Sequence, residues 1–180
     1  MKKLFFIIFF ISYFPSIALS ESFKFKKITS LNNPWGSSFI NNEEIIVTEK
    51  SGKIIIVNIS TNEVIQVNHN LNFLEHGQGG LLDILYKDDF IWISYTENRG
   101  NSKTSTSIAK ANLDKKNLLF KNIFQANPPI DSGYHFGSRL AIKDNYLFAS
   151  TGERGKGMIA QDPTKHPGSI IRIYLDGSIP

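Results

Sequence analysis

The chain contains no cysteine. That excludes disulfides, thiolate nucleophiles and zinc–thiolate centres together, and leaves packing or a bound ligand to hold the fold. It also lacks an excess of one charge. Setting aside Lys2 and Lys3, which fall in the leader described below, reduces the 20 basic side chains to 18 against 16 acidic, so +4 becomes +2. No nucleic-acid partner follows from so even a balance. The clusters Lys24/Lys26/Lys27 and Asp114/Lys115/Lys116 read as solvated faces, because neither interleaves with aromatic residues. Histidine is scarce, four in all, and His69, His76, His135 and His166 lack the close paired spacing of a zinc motif. There is no G-x-S-x-G, P-loop or dinucleotide glycine fingerprint. The glycines of GERGKG (152–157) follow a strand instead of opening a helix, which is a weak setting for phosphate.

Long apolar runs are missing too, except one. Leu4–Phe14 follows Met1-Lys2-Lys3 and is too short to span a bilayer comfortably. It leads through Pro15 to SIALS, with Ala18 and Ser20 at the small positions read before a cut ahead of Glu21. Residues 1–20 are therefore predicted to be a secretory signal peptide, with an uncleaved anchor as the alternative. The expected location is periplasmic or secreted, with no stable membrane insertion after cleavage.

What is present is a globular balance, 41% hydrophobic and 20% charged, over 180 residues. No segment after residue 20 has a helical period. Short β-branched and aromatic runs bounded by Asn, Asp, Ser and Gly recur instead, so the fold class is all-β. Strands are predicted at 44–50, 53–59, 81–87, 90–96, 106–113, 138–144, 146–152 and 169–176.

Three passages share one grammar: WGSSFINNEEIIVTEKSGKIIIVNI, QGGLLDILYKDDFIWISYTEN with TSIAKANLD, and HFGSRLAIKDNYLFASTGER with GSIIRIYLDG. Small residues lead into a strand, a polar turn (Asn41-Asn42, Asp88-Asp89, Asp144-Asn145), a strand ending near an acid, a loop and a third strand. Ile45, Ile91 and Tyr146 begin the second strands, giving steps of 46 and 55 residues. A repeat of that length is the signature of a β-propeller blade. A sandwich also has short, regularly spaced strands, but it does not require one lead-in motif to return three times. Propellers close with ~4 or more blades. About three fit here, so residues 21–180 are read as the amino-terminal portion of a larger propeller domain.

In a propeller the innermost strands line a central channel, so their first residues converge at one mouth. The predicted mouth positions are Pro34-Trp35-Gly36, Gln78-Gly79-Gly80 and His135-Phe136-Gly137. A two-residue turn at Asp144-Asn145 makes paired positions sum to 289, placing Phe136 opposite Glu153 and His135 opposite Arg154. Glu153 then lies within about one residue of His135, where a carboxylate fixes an imidazole's tautomer and favours its protonated form. Glu49 and Glu97 also stand at strand ends, which is what a structural turn feature would give, so both readings of Glu153 stay open. His76 is a second candidate for the mouth. His69 reads as a surface histidine in a polar connector, and His166 as a loop residue.

Four blocks in order, PWG with IIVTEKSGKI, GQGGLLDI, HFGSRLAI and TGERGKGMIAQDPTKHPGSIIRIYLDGSIP, resemble the soluble aldose sugar dehydrogenases that use pyrroloquinoline quinone (PQQ), within the glucose/sorbosone dehydrogenase group. The resemblance implies a six-bladed propeller with PQQ over the channel mouth and calcium beside it. It implies that His135 takes the proton from a sugar's anomeric hydroxyl while hydride passes to the quinone, yielding a lactone, with an external electron acceptor downstream. Glu153 falls on the carboxylate paired with that histidine, where glucose-type relatives carry Asp, and Gln78 on the active-site glutamine, a hydrogen-bonding partner for cofactor or substrate. No metal ligand is assigned to this chain, because the calcium-holding groups and main PQQ-binding side chains are expected in later blades. Tyr134 departs from the Asp that glucose-type enzymes place before the histidine. Ser138 stands where Gly is common, and Ser169 where Lys is common. Two other readings remain: a catalytically silent propeller that binds a carbohydrate or protein, and a calcium-dependent propeller lactonase.

Overall fold

In the computed structural model, which describes residues 23–180, nearly every regular element is extended. The predicted signal peptide, 1–20, lies outside the described residues. Three antiparallel sheets follow one another along the chain. The first holds β1 (Pro34–Phe39), β2 (Glu44–Glu49), β3 (Ile54–Asn58) and β4 (Val64–His69). The second holds β5 (Leu81–Lys87), β6 (Phe90–Asn98), β7 (Thr104–Asn112) and β9 (Lys121–Gln125). Between β7 and β9 the short β8 (Asn117–Leu118) reaches back to pair in parallel with β4. The third holds β10 (Gly137–Lys143), β11 (Tyr146–Thr151) and β12 (Ile170–Tyr174), with a 3-10 turn at Gly157–Gln161 inside the β11–β12 connection. Among the described residues no helix is long and apolar enough to cross a membrane.

Alternation explains how the sheets stack. Ile46, Ile54 and Ile56 of the first sheet pack with Leu81, Ile84, Ile91, Ile93 and Tyr95 of the second. The opposite face of the second sheet presents Trp92 and Ile108 to Leu140, Leu147, Ala149 and Ile173 of the third. Strand β6 therefore has a neighbouring sheet on each side and is buried from Ile91 to Glu97. That is why FIWISYT reads as a nearly continuous apolar run. Each such large side chain removed from water contributes ~1.5–3 kcal/mol before its ordering entropy.

One irregularity recurs in all three sheets. The first strand of each hairpin slips by one residue against the second, between Pro34 and Ser37, between Leu81 and Ile84, and between Gly137 and Leu140. These are β-bulges, which bend a strand and re-aim the residues beyond them. In each, the bulge N–H donates to a hydroxyl of the neighbouring strand at 3.0 Å: Gly36 to Thr48, Asp83 to Ser94, Arg139 to Ser150. Thr48 and Ser94 then donate across the sheet interface, to the Leu82 carbonyl at 2.5 Å and the Ser138 carbonyl at 2.7 Å.

The bulges align the repeats and correct the sequence reading. Ser37, Ile84 and Leu140 are equivalent, as are their partners Val47, Ile93 and Ala149, so the steps along the second strands are 46 and 56 residues. Tyr146 is therefore one position out of phase with Ile45 and Ile91. The first hairpin does not turn on Asn41-Asn42 alone. Its link is Ile40–Glu43, closed by the Ile40 N–H on the Glu44 carbonyl at 3.0 Å, with the Asn41 side-chain oxygen accepting from the N–H groups of Glu43 and Glu44. Strands β4, β8 and β9 were not foreseen. They lie at or near sheet edges, where alternation is weak because both faces are partly wet.

Candidate functional site

The third sheet's bulge determines what faces His135. Below the slip, pairs sum to 289, as the turn alone predicts. Above it Gly137 pairs with Thr151, a sum of 288, and that phase brings Glu153 rather than Arg154 opposite His135. The side chains meet: His135 Nδ1 contacts Glu153 Oε1 in a short hydrogen bond. Glu153 Oε1 also accepts from the Gly155 N–H at 3.1 Å. The hydrogen bond to the His135 ring holds the Glu153 carboxyl below the usual carboxylate range. An ionised carboxylate only accepts, so Nδ1 carries the proton and, in the neutral ring, Nε2 is left as a lone-pair acceptor. The His135 side chain is 53% exposed, so that acceptor is reachable.

The backbone here is held against its preference. His135 has φ 48°, a left-handed value that costs a non-glycine residue ~1–2 kcal/mol. Two loops lock it. The His135 N–H donates to the Gln78 side-chain oxygen at 2.9 Å, and the Gln78 N–H donates to the Gly133 carbonyl at 2.7 Å. Contact that close requires glycine at 77, because a Cβ there would lie 2.4 Å from the Gly133 oxygen. Gly152 is equally constrained, since a Cβ would lie 1.9 Å from the His135 carbonyl oxygen. Gln78 thus spends its oxygen on His135 and keeps its amide NH2 for another acceptor.

Arg154 is a contributor that the sequence reading passed over. It is 2% exposed, and burial lowers its guanidinium to about 10, still protonated at neutral pH. It donates to the carbonyls of Ser132, Tyr134 and Thr104 and to the Thr104 hydroxyl, and stacks 3.6 Å from the Phe136 ring centroid. Counting from the Asp144-Asn145 turn set Arg154 opposite His135, but no role was assigned to it.

Other expected residues lie elsewhere. Trp35 does not share the position of His135, whose equivalents across the bulges are Asn32 and Gly79. Trp35 instead lines an apolar cavity of about 580 Å³ with Ile45, Val47, Val57 and Ile59, and none of His135, Glu153 and Gln78 borders it. Glu49 is not in the phase of Glu153 either, because it pairs with Pro34 as Thr151 pairs with Gly137. It is buried and accepts the Asn32 N–H at 2.5 Å. His76 is half-buried in a tight turn, its N–H on the Gly79 carbonyl at 3.3 Å and its ring against Gly133. His69 is not a free surface side chain: it ends β4, with Nε2 2.7 Å from the Gly52 carbonyl and its ring edge-on to Phe73. His166 is in a loop, where Nδ1 accepts the Asn127 N–H at 3.0 Å. Tyr134 is exposed and edge-on to His135, ring centroids 6.2 Å apart.

The amide NH2 of Gln78 suits a quinone's carbonyl, and it shares a loop cluster with the His135 ring, whose free Nε2 accepts instead of donating. It does not suit calcium. Among the described residues no three His, Asp or Glu side chains cluster closely enough to hold a metal ion, so no step through calcium is derived for these residues.

Residues 31–180 match the family model described as Glucose / Sorbosone dehydrogenase. The aldose sugar dehydrogenase YliI of Escherichia coli is 31% identical, over 83% of this chain and 43% of that protein. Quinoprotein glucose dehydrogenase B of Acinetobacter calcoaceticus is 29% identical, over 91% of this chain and 41% of that protein. The chain thus spans less than half the length of these relatives. Among solved structures, the apo soluble aldose sugar dehydrogenase of Escherichia coli superposes with a TM-score of 0.78 at 28% identity, covering 83% of this chain and 46% of that one. The PQQ-bound aldose sugar dehydrogenase of Streptomyces coelicolor superposes with a TM-score of 0.73 at 26% identity, again over 83% and 46%. With the family model matched across all three sheets, the chain belongs to the glucose/sorbosone dehydrogenase family.

Proposed function

We propose that the three sheets are consecutive blades of a β-propeller, and that the chain is part of an exported quinone-dependent oxidoreductase that converts aldose sugars to lactones. The observation that carries the reading is the His135–Glu153 pair, which leaves Nε2 as an exposed base. PQQ, when bound, would supply the two-electron acceptor for the hydride of the sugar's anomeric carbon. His135 Nε2 takes the proton from the anomeric hydroxyl, so the sugar loses two hydrogens and C1–O becomes the lactone carbonyl. Glu153 steadies the imidazolium that results. Gln78 fixes the His135 backbone and offers its NH2 to bound cofactor or sugar. Tyr134 presents an aromatic surface beside the base where glucose-type relatives carry a carboxylate, so sugar recognition on that side rests on an aromatic face instead of an acid. Export rests on the leader-like residues 1–20.

The test is reconstitution of the whole protein that carries this chain with PQQ and calcium, following dye reduction by a panel of aldoses. His135→Ala is expected to lose ~100-fold or more in kcat. Full activity in that variant, or turnover of a lactone without any electron acceptor, overturns the reading.

A further inference from the structure

We infer that Arg154 is a positioning residue: its guanidinium grips the backbone of Ser132–Phe136 so that the His135 imidazole is presented to Glu153. The inference rests on the proposed role of His135 as the base.

A guanidinium that is 2% exposed is costly to bury. Filling the same space with an apolar side chain avoids that cost, so packing alone does not account for an arginine here. Among the described residues Arg154 has no carboxylate partner. Its hydrogen bonds go instead to backbone carbonyls and one hydroxyl, and those acceptors come from only two places. Ser132 and Tyr134 belong to the loop that carries His135, and Thr104 is the first residue of β7. The main chain adds a further tie, the Arg154 N–H to the His135 carbonyl at 3.3 Å. The guanidinium carbon sits 3.6 Å from the ring centroid of Phe136, the residue after His135.

One side chain therefore contacts the loop before and after His135 and anchors it to the neighbouring sheet. It also follows Glu153 directly in sequence. The segment that carries the carboxylate and the segment that carries the imidazole are joined by adjacent residues, so a shift of one moves the other. The second sheet offers a control. There the residue equivalent to Arg154 is Asn98, which is exposed, and the residue equivalent to His135 is Gly79. Sheet stacking needs no arginine at that position, and the arginine occurs where there is an imidazole to hold.

The experiment uses the whole protein with Arg154→Met, which keeps an apolar stem over Phe136, and Thr104→Val, which removes one anchor at constant shape. Two readouts are followed: kcat and KM with an aldose, and the histidine ring resonances of 15N-labelled protein. Arg154→Met is expected to lower kcat ~10–100-fold with KM within ~3-fold. It is also expected to abolish the downfield Nδ1–H signal of the Glu153-bonded ring. Thr104→Val is expected to fall between Arg154→Met and wild type on both. Adding Glu153→Gln to Arg154→Met should cost little more, because both act through one contact.

A folded Arg154→Met protein that keeps the Nδ1–H signal overturns the inference, whatever its activity. If Arg154→Met does not fold, wild-type kcat and an unchanged ring signal in Thr104→Val overturn it instead. Failure of the base reading shows separately, as full activity in His135→Ala. The ring signal still reports positioning in that case.

Discussion

Glu97 and Glu153 occupy the same position in two successive sheets and have opposite surroundings. Each lies two residues beyond the pair that closes its bulge, Leu81 with Tyr95 and Gly137 with Thr151. In the second sheet β6 and β7 stay paired to Asn98 and Thr104, so Glu97 lies inside the ladder, opposite Ser105. Its carboxylate accepts from the Ser107 hydroxyl and the side-chain amides of Asn122 and Gln125, and it is 7% exposed. In the third sheet β11 and β12 part at Ser150 and Ile170, the chain leaves the ladder, and Glu153 turns to His135 at the surface. A carboxylate becomes structural where strand pairing continues past it and available to chemistry where pairing stops. Four more ladder pairs, from Tyr95–Ser107 to Asn98–Thr104, make the difference.

The largest expected effect tests the structural half of that contrast. Glu97→Ala leaves the donors of Ser107, Asn122 and Gln125 without their buried acceptor and should cost ~3 kcal/mol in urea unfolding. Activity per folded molecule should be preserved. Glu153→Gln should do the reverse, with kcat down ~10-fold and the urea midpoint close to wild type. If the two variants behave alike, the contrast is wrong.

A smaller effect sharpens the other half. The Glu153 carboxyl is held low by its hydrogen bond to His135. A depressed folded value means that the pair's contribution is present above the ordinary carboxylate range and is lost only as pH falls through the lowered value. Carboxyl 13C titration should therefore show Glu153 ionised through the range where exposed glutamates protonate, and moving up toward them in His135→Ala. No movement in that variant would mean the hydrogen bond is not what lowers it.

The smallest effect concerns the hydroxyls between sheets. Ser94 both accepts from Asp83 and donates to Ser138, so Ser94→Ala should cost ~1 kcal/mol. Ser150 accepts from Arg139 and, among the described residues, has no partner for its own proton, so Ser150→Ala should cost less. Equal losses from the two would show that the bond across the interface contributes little.

Much of this was legible in the sequence because alternation and turn residues carry it. LLDILYK is strand β5 residue for residue, and Asp88-Asp89 and Asp144-Asn145 link their hairpins as foreseen. The site was legible to within one residue, since His135, Gln78 and Glu153 are brought together, but counting from the turn set Glu153 against Phe136. The missing residue is the bulge, and no common residue type marks it: Gly36, Asp83 and Arg139 hold the equivalent position. Glu49 looked equivalent to Glu97 because both are acids near a strand end, although the 46-residue step carries Glu49 to Tyr95. Arg154 escaped because its partners are main-chain carbonyls, which leave no trace in side-chain identity.

The bulge also separates two jobs within each hairpin. Register above the slip is one residue short of register below it in all three hairpins, so the far end of each keeps one fixed offset. The first hairpin already shows this latitude: its link is longer than the other two, yet its inner strand meets its partner in the same phase above the slip. Turns can therefore lengthen or shorten on one rim, and loops on the other rim can exchange a glycine for a histidine, without either change reaching the packed layer between them. A scaffold insulated in this way can change the residues on one rim and leave its packed layers as they are.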